Sequence, residues 1–313
     1  MNKYTKDSLL FLKDVSKSIN KEINDYDLIK TTFTLALGLE RLIKGILYDV
    51  NPTYIFIEPD FKHSAKNLYG ALLIQGNERS KQLSDKPILD VLTFSNSLLR
   101  AELFSKTIFT YKNTLFQICN ARDIIAHCDL DLLNMIDLSN ILKRDFYCII
   151  KSFSLELKIP QYSFFEGKHI KLSRLSSELQ TDLDTKFDLI KDTQLGIYKL
   201  MIKQQGYKED KDKTTKQIMS FPFKRIEICP VCENDAIIYL QPIISPDSSI
   251  IGATAKKIKC QYCKLEINDP AMLDKLDIKG DIYNIPKCAK CGELLGKESP
   301  TELCDICEAE YQE

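Results

Sequence analysis

The sequence predicts a mainly α chain: a helical bundle, then a long amphipathic helix, then two small β-rich modules. Three observations carry this. Apolar residues recur at three- and four-residue steps through residues 1–157. A second such stripe runs from Ile170 to about Gln204. From Phe221 the pattern changes abruptly to short β-prone runs, turn residues and four Cys-x-x-Cys pairs.

In the bundle, Leu9, Leu10, Leu12, Val15 and Ile19 form the first apolar face. The segment Asp27–Val50 follows, with Leu28, Leu35, Leu39, Leu42, Ile43 and Ile46 on one stripe, ended by Asn51-Pro52. A short helix is expected between Pro59 and Gln75, and a loop over Gly76–Pro87. Helix resumes from about Ile88 toward His127, with one break, and again from about Leu133 to Leu157. Residues 158–169 are an aromatic-rich connector. The Ile170–Gln204 stripe (Leu172, Leu175, Leu179, Leu183, Phe187, Ile190) lacks sustained heptads, which favours ordinary packing over a coiled-coil seam. The predicted domains are thus a bundle over 1–157, a connector and helix over 158–205, a polar linker over 206–220, and modules over 221–268 and 269–313.

No run of about 18 apolar residues is present, so no membrane span is expected. The first residues, Met1-Asn2-Lys3-Tyr4-Thr5-Lys6-Asp7, lack the apolar core of a secretion signal. A cytoplasmic location is therefore expected, and with it metal binding rather than disulfides for the eleven cysteines.

Cys229-Pro230-Val231-Cys232 pairs naturally with Cys260-Gln261-Tyr262-Cys263, and Cys288-Ala289-Lys290-Cys291 with Cys304-Asp305-Ile306-Cys307. Two cysteines three apart curl around one metal, and two such knuckles supply a tetrahedron of thiolates. Residues 221–313 so resemble the zinc ribbon family, which implies two structural Zn²⁺ sites per chain. An interleaved pairing of the four motifs, a redox pair and an iron–sulfur cluster are the competing readings. With formal charge −1 and two sites at −2 each, the loaded chain carries −1 − 2 − 2 = −5, so any nucleic-acid contact must be a local patch. Lys256, Lys257 and Lys259 around the second knuckle are candidate phosphate contacts, with a solvated lysine turn as the bland alternative. The acidic end (Glu302, Asp305, Glu308, Glu310, Glu313) suits a protein partner or solvent instead.

Catalytic candidates cluster in Asn120-Ala121-Arg122-Asp123-Ile124-Ile125-Ala126-His127, at the end of an expected helix. An imidazole moves protons near neutral pH, and a guanidinium clamps a phosphate bidentately. Asp123 can orient His127, four residues on, or hold Arg122. The spacing resembles the HEPN ribonuclease motif: Arg, four to six residues, then His, with a polar residue after the Arg. The segment Leu39–Leu47 likewise resembles a first core helix of such domains. The resemblance covers about residues 27–157. It implies a dimeric all-helical bundle whose active site lies at the dimer interface, and metal-independent RNA cleavage leaving 2′,3′-cyclic phosphate ends. It also implies a toxin or antiphage defence role, with ribbons that recognise RNA or a protein or phage-derived trigger. Some members carry a tyrosine two residues after the His; here Asp129 stands there. A non-enzymatic dimeric adaptor binding nucleic acid or protein through its ribbons is the alternative. In that case Asp123 and His127 are a solvated pair, or Arg122 a buried ion-pair partner.

Other candidates are weaker. His63 and His169 read as solvated residues beside lysines, and Glu40 and Lys44 as site support or an i,i+4 surface pair. Cys119, Cys128 and Cys148 read as small core residues on helices.

Overall fold

The computed structural model describes residues 1–20, 22–56, 91–244 and 250–280. The helix expected in 59–75, the loop over 76–87, His63, the turn at 245–249 and residues 281–313 of the expected second ribbon, with Cys288, Cys291, Cys304 and Cys307, lie outside the described residues. Residues 269–280 are described, and Met272, Leu273 and Ile278 share the core of the first four-cysteine module, so the boundary expected at 268/269 is not a domain boundary. The chain divides into two compact units. The first comprises Met1–Tyr111 with Leu115–Ser177, and the second Lys112–Thr114 with Glu178 onward. Among the described residues no helix is long and apolar enough to cross a membrane.

The first unit is helical, as the periodicity predicts. It contains α1 (Lys3–Ser18), α2 (Asp25–Val50), α3 (Phe94–Glu102), α4 (Lys106–Thr110), most of α5 (Lys112–His127), α6 (Met135–Asn140), α7 (Phe146–Glu156), α8 (Tyr162–Phe165) and the start of α9 (His169–Met201). Asn24 caps α2 by accepting from the Asp27 N–H, and Asp25 and Asp27 complement the positive helix end. The helix expected from 88 to 127 is three helices. Ser105 caps α4, and Tyr111, at φ −104° and ψ 29°, leaves the helical conformation and ends it. Helices α1 and α2 cross closely: a Cβ on Gly45 would sit 2.4 Å from Thr5 Oγ1, and Asn2 Nδ2 donates to the Gly45 carbonyl at 2.9 Å. Leu12 and Val15 of α1, Leu35, Leu39, Leu42 and Ile43 of α2, and Ile118, Ile150 and Phe153 form a fully buried core.

Between α6 and α7 the helix widens into a π turn over Ile141–Asp145. The wider turn accommodates a buried ion pair, Arg144 Nε donating to Asp145 Oδ1 at 2.7 Å, and Ser176 Oγ donates to the Arg144 carbonyl at 2.5 Å.

The second unit holds an antiparallel four-stranded meander in the order β1 (Lys224–Ile228), β2 (Asp235–Ile244), β3 (Ile250–Cys260), β4 (Glu266–Ile267). Its inner face (Ala236, Ile238, Leu240, Ala255, Ile258) packs with Leu183, Phe187, Leu195 and Tyr198 of the long α9 stripe. That is ordinary packing, as its lack of heptads predicts. The lysine-rich stretch expected as a linker is instead helix α10 (Tyr207–Met219). Tertiary anchors account for the difference: the buried Tyr207 hydroxyl donates to the Tyr262 carbonyl at 2.6 Å, and the Tyr262 hydroxyl donates to Asp212. Lys, Glu and Gln also favour helix where something holds it.

After β4, α11 (Pro270–Lys275) carries Asp274 into the second unit's interior. Asp274 accepts from the backbone N–H groups of Asn113 and Thr114, each at 2.9 Å, and from the Thr114 hydroxyl at 2.7 Å. Asn113 closes the arrangement, accepting from the Ala255 N–H at 3.0 Å and donating to the Ile278 carbonyl at 2.8 Å. Burial pushes the Asp274 carboxyl up to about 7 from 3.8, against these hydrogen bonds and the Lys279 ammonium, which hold it down. Between pH about 4 and 7 the folded unit therefore binds a proton that the unfolded chain releases. This contribution to stability is full below 4 and is lost as pH rises toward 7. Metal binding has the opposite pH dependence, because the thiols must ionise. Asp274→Asn is expected to remove the Asp274 part alone. Thermal midpoints of metal-loaded wild type and variant, measured from pH 4.5 to 8, should differ in slope over that window.

Candidate metal centre and Arg–His edge

Two tight turns bring four cysteines together. In the first, Glu233 N–H donates to the Cys229 carbonyl at 3.1 Å and Cys229 N–H to Asn234 at 2.8 Å. In the second, Cys260 N–H donates to the Leu265 carbonyl at 2.9 Å. Each turn ends on a left-handed residue just after its second cysteine, Glu233 at φ 59° and Lys264 at φ 65°. Non-glycine residues pay roughly 1 kcal/mol or more there, a cost that the backbone hydrogen bonds closing each turn offset.

The Sγ atoms of Cys229, Cys232, Cys260 and Cys263 all lie within 4.8 Å of one another, and all four residues are buried. Cys229 and Cys263 sulfurs are 3.6 Å apart, and those of Cys232 and Cys260 are 3.5 Å apart. A tetrahedron with metal–sulfur bonds of about 2.3 Å has edges of about 3.8 Å. The first motif therefore pairs with the second, not the third, and the four cysteines can bind one metal ion. Hydrogen bonds from Cys229, Cys260 and Cys263 drive the Cys232 thiol far down, while contacts with Cys229 and Cys232 push Cys260 and Cys263 far up. Unaided, the cluster cannot carry four thiolates side by side; a divalent cation at its centre lets all four ionise.

The lysines expected beside the second knuckle separate. Lys257 and Lys259 both pair with Glu266, at 3.4 and 3.2 Å. Lys256 is the extra residue where Tyr239 pairs with Lys257 but Leu240 with Ala255. Residue spacing does not single out Tyr207, Asp212 or Tyr262. The aromatic inside Cys260-Gln261-Tyr262-Cys263 is the one signal that could have drawn attention to them.

In the first unit, Arg122 sits on the last turns of α5 facing α2. Its Nη1 donates to Asp123 at 2.7 Å, and its Nη2 lies 3.7 Å from Glu40. Lys44 Nζ donates to the other Glu40 oxygen at 2.6 Å. Lys44 is buried and Glu40 partly so, their side chains 10% and 15% exposed, so they brace Arg122 instead of forming a solvated surface pair. Burial lowers the Arg122 pKa, but the Asp123 hydrogen bond and the Glu40 charge outweigh it and raise it, so the guanidinium stays charged. Arg122 Nε is buried without a partner among the described residues.

His127 ends α5 and is exposed. Among the described residues its side chain makes no hydrogen bond. Of the two roles open to Asp123, the structure places it on Arg122. Cys119 is buried, and burial raises its thiol pKa strongly, which removes it as a nucleophile. Cys128, expected in the core, is instead exposed at the helix C-cap, because α5 ends there and the chain turns outward. Cys148 is half-buried, 3.4 Å from Ser176 Oγ. His169 starts α9 with its Nδ1 buried and unpartnered among the described residues.

Comparison with protein-family models, with curated proteins and with solved structures finds no match.

Proposed function

We propose that this chain is a metal-independent endoribonuclease of the HEPN type, serving as a toxin or antiphage effector, with zinc-loaded ribbons that recognise RNA or a trigger. One observation carries the reading: a charged guanidinium held by Glu40 and Asp123, with an exposed imidazole five residues later at the end of the same helix. Arg122 would stabilise the phosphorane-like transition state as the ribose 2′-hydroxyl attacks the adjacent phosphate. His127 would take the 2′-hydroxyl proton or deliver one to the leaving 5′-oxygen. A single imidazole does not readily serve both steps, and a second copy of the chain supplies the other. Leu130, Leu132 and Ile136, which follow His127, are 45%, 66% and 71% exposed, an apolar rim suited to such a homodimer. Four buried thiolates with no open position fit structural zinc in the first ribbon.

The purified chain is expected to cleave single-stranded RNA in magnesium-free buffer and leave 2′,3′-cyclic phosphate and 5′-hydroxyl ends. End analysis by phosphatase and kinase treatment checks this. Intact RNA, or products bearing 5′-phosphates, would sink the assignment. Intact RNA together with a stable dimer would favour the adaptor reading, in which Arg122 is only an ion-pair partner of Glu40 and Asp123.

A further inference from the structure

One face of the sheet carries alternating rings and ammonium groups that neither the cysteine cluster nor the Arg–His edge uses. Lys224, Tyr239 and Lys257 stand directly opposite one another on β1, β2 and β3. The Lys224 ammonium lies 4.4 Å from the Phe221 ring centroid and 5.4 Å from that of Tyr239. Lys257 approaches Tyr239 from the third strand at 4.7 Å. One row closer to the knuckles, Ile226, Ile237 and Lys259 are in register, with Lys259 opposite Glu266. Ile237 is fully buried there, so the open part of the face is the Lys224–Tyr239–Lys257 row and its flanks. Residues two apart share a face, so both rows lie on the side opposite Ile238 and Ile258, which belong to the core.

The composition of this face selects a ligand. Three ammonium groups meet two carboxylates, Glu266, which pairs with both Lys257 and Lys259, and Asp235 at the knuckle end. Lys224 Nζ also donates to the Ile218 carbonyl at 3.0 Å, which leaves its other N–H bonds for a phosphate. Phe221 is 61% exposed beside Lys224. A left-handed φ of 59° at Phe223 separates it from Phe221, and Phe223 packs on the inner core. Adjacent strands are about 4.8 Å apart, so the two outer lysines are about 10 Å apart with a ring between them. A single nucleic-acid strand offers matching groups: base faces that stack on rings and phosphates that seek ammonium groups. A duplex hides its base faces. An acidic polypeptide would match the lysines and leave the rings unused.

We infer that this face is a binding platform for single-stranded RNA. Phe221 and Tyr239 stack bases, and Lys224, Lys257 and Lys259 contact phosphates. The inference deepens the reading of RNA as substrate and rests on it for the choice of RNA. It adds Phe221, Lys224 and Tyr239 to the lysines that spacing picks out, and leaves Lys256 aside.

The test is fluorescence anisotropy of the full, metal-loaded chain, carrying His127→Ala so that the probe survives, titrated against labelled single-stranded and duplex RNA. Single strands should bind more tightly than duplex. Phe221→Ala should weaken binding about tenfold. Lys224→Gln with Lys257→Gln should weaken it further and lower the log–log salt slope by about 1.4, at about 0.7 per phosphate contact. Metal content and circular dichroism of each variant must match the parent; Lys257→Gln alone, with its ordinary strand position, serves if the double variant does not fold. Absence of single-strand binding, equal affinity for duplex, or a Lys256→Gln loss as large as that of Lys257→Gln would overturn the platform, as would retained affinity in the ring and lysine variants. The two claims fail separately. Cleavage by wild type with undiminished binding in the face variants removes the platform alone. Binding through this face with RNA left intact by wild type removes the nuclease alone.

Discussion

His127→Ala is expected to cut RNA cleavage by a factor of about 10²–10⁴, the range that a positioned proton-transfer group contributes. The fold should be unaffected, because His127 is exposed at the end of α5 and its side chain makes no hydrogen bond among the described residues. Arg122→Ala should cost a further distinct loss, about 10²–10³, as for removal of a group that stabilises developing charge. Glu40 keeps its 2.6 Å contact with Lys44 in that variant, so it is not stranded as a lone buried charge. Arg122→Lys should recover little, since an ammonium cannot reproduce the fork that reaches Asp123 and Glu40 together. Single-turnover cleavage rates beside thermal midpoints check all three. If the variants cleave at the wild-type rate, the edge is structural. If His127→Ala unfolds the protein, its exposure at the end of α5 has been misread.

Removing metal is expected to have the largest effect on structure. Structural zinc sites return about 10–16 kcal/mol of apparent binding energy, which in small modules is folding energy. Cys229, Cys232, Cys260 and Cys263 belong to the same buried cluster as Ile238, Leu240 and Ile258, so the sheet's core and the thiolate cluster form and fail together. Cys263→Ala should lower bound metal by one equivalent in elemental analysis. It should also abolish the sheet's cooperative unfolding transition, seen by circular dichroism. The helical core around Leu39, Leu42 and Phe153 belongs to the other unit and should keep its own transition. If Cys263→Ala keeps its metal, or loses it while the sheet still unfolds cooperatively, the cluster is not the sheet's structural centre.

What was legible in the residues follows from how local each signal is. The stripe from Leu28 to Ile46 and that from Leu172 to Phe187 need only a period, and both helices are present. A Cys-x-x-Cys pair encodes its own turn, so the first four-sulfur cluster could be read from spacing. Features set by distant partners were not legible. Helix α10 looks like a linker because its anchor lies far along the chain: Tyr262, whose carbonyl accepts from the Tyr207 hydroxyl and whose hydroxyl donates to Asp212. The support of Arg122 by Glu40 spans α2 and α5, and a four-residue Glu–Lys spacing alone cannot separate a buried brace from a surface pair. The row Lys224–Tyr239–Lys257 exists only once strand register is known, and the extra residue at Lys256 decides which lysines join it.

The first turn of α5 bears on how this protein can be dissected. Lys112–Thr114 belongs with the C-terminal unit, although residues on both sides of it belong with the N-terminal one. A fragment that begins after residue 177 would therefore omit Asn113 and Thr114. Asp274 would lose three donors and Ala255 its acceptor, all of them buried. Cutting the polypeptide once does not yield two whole halves. An excised ribbon should be soluble and well ordered only if a peptide spanning that short turn is returned to it.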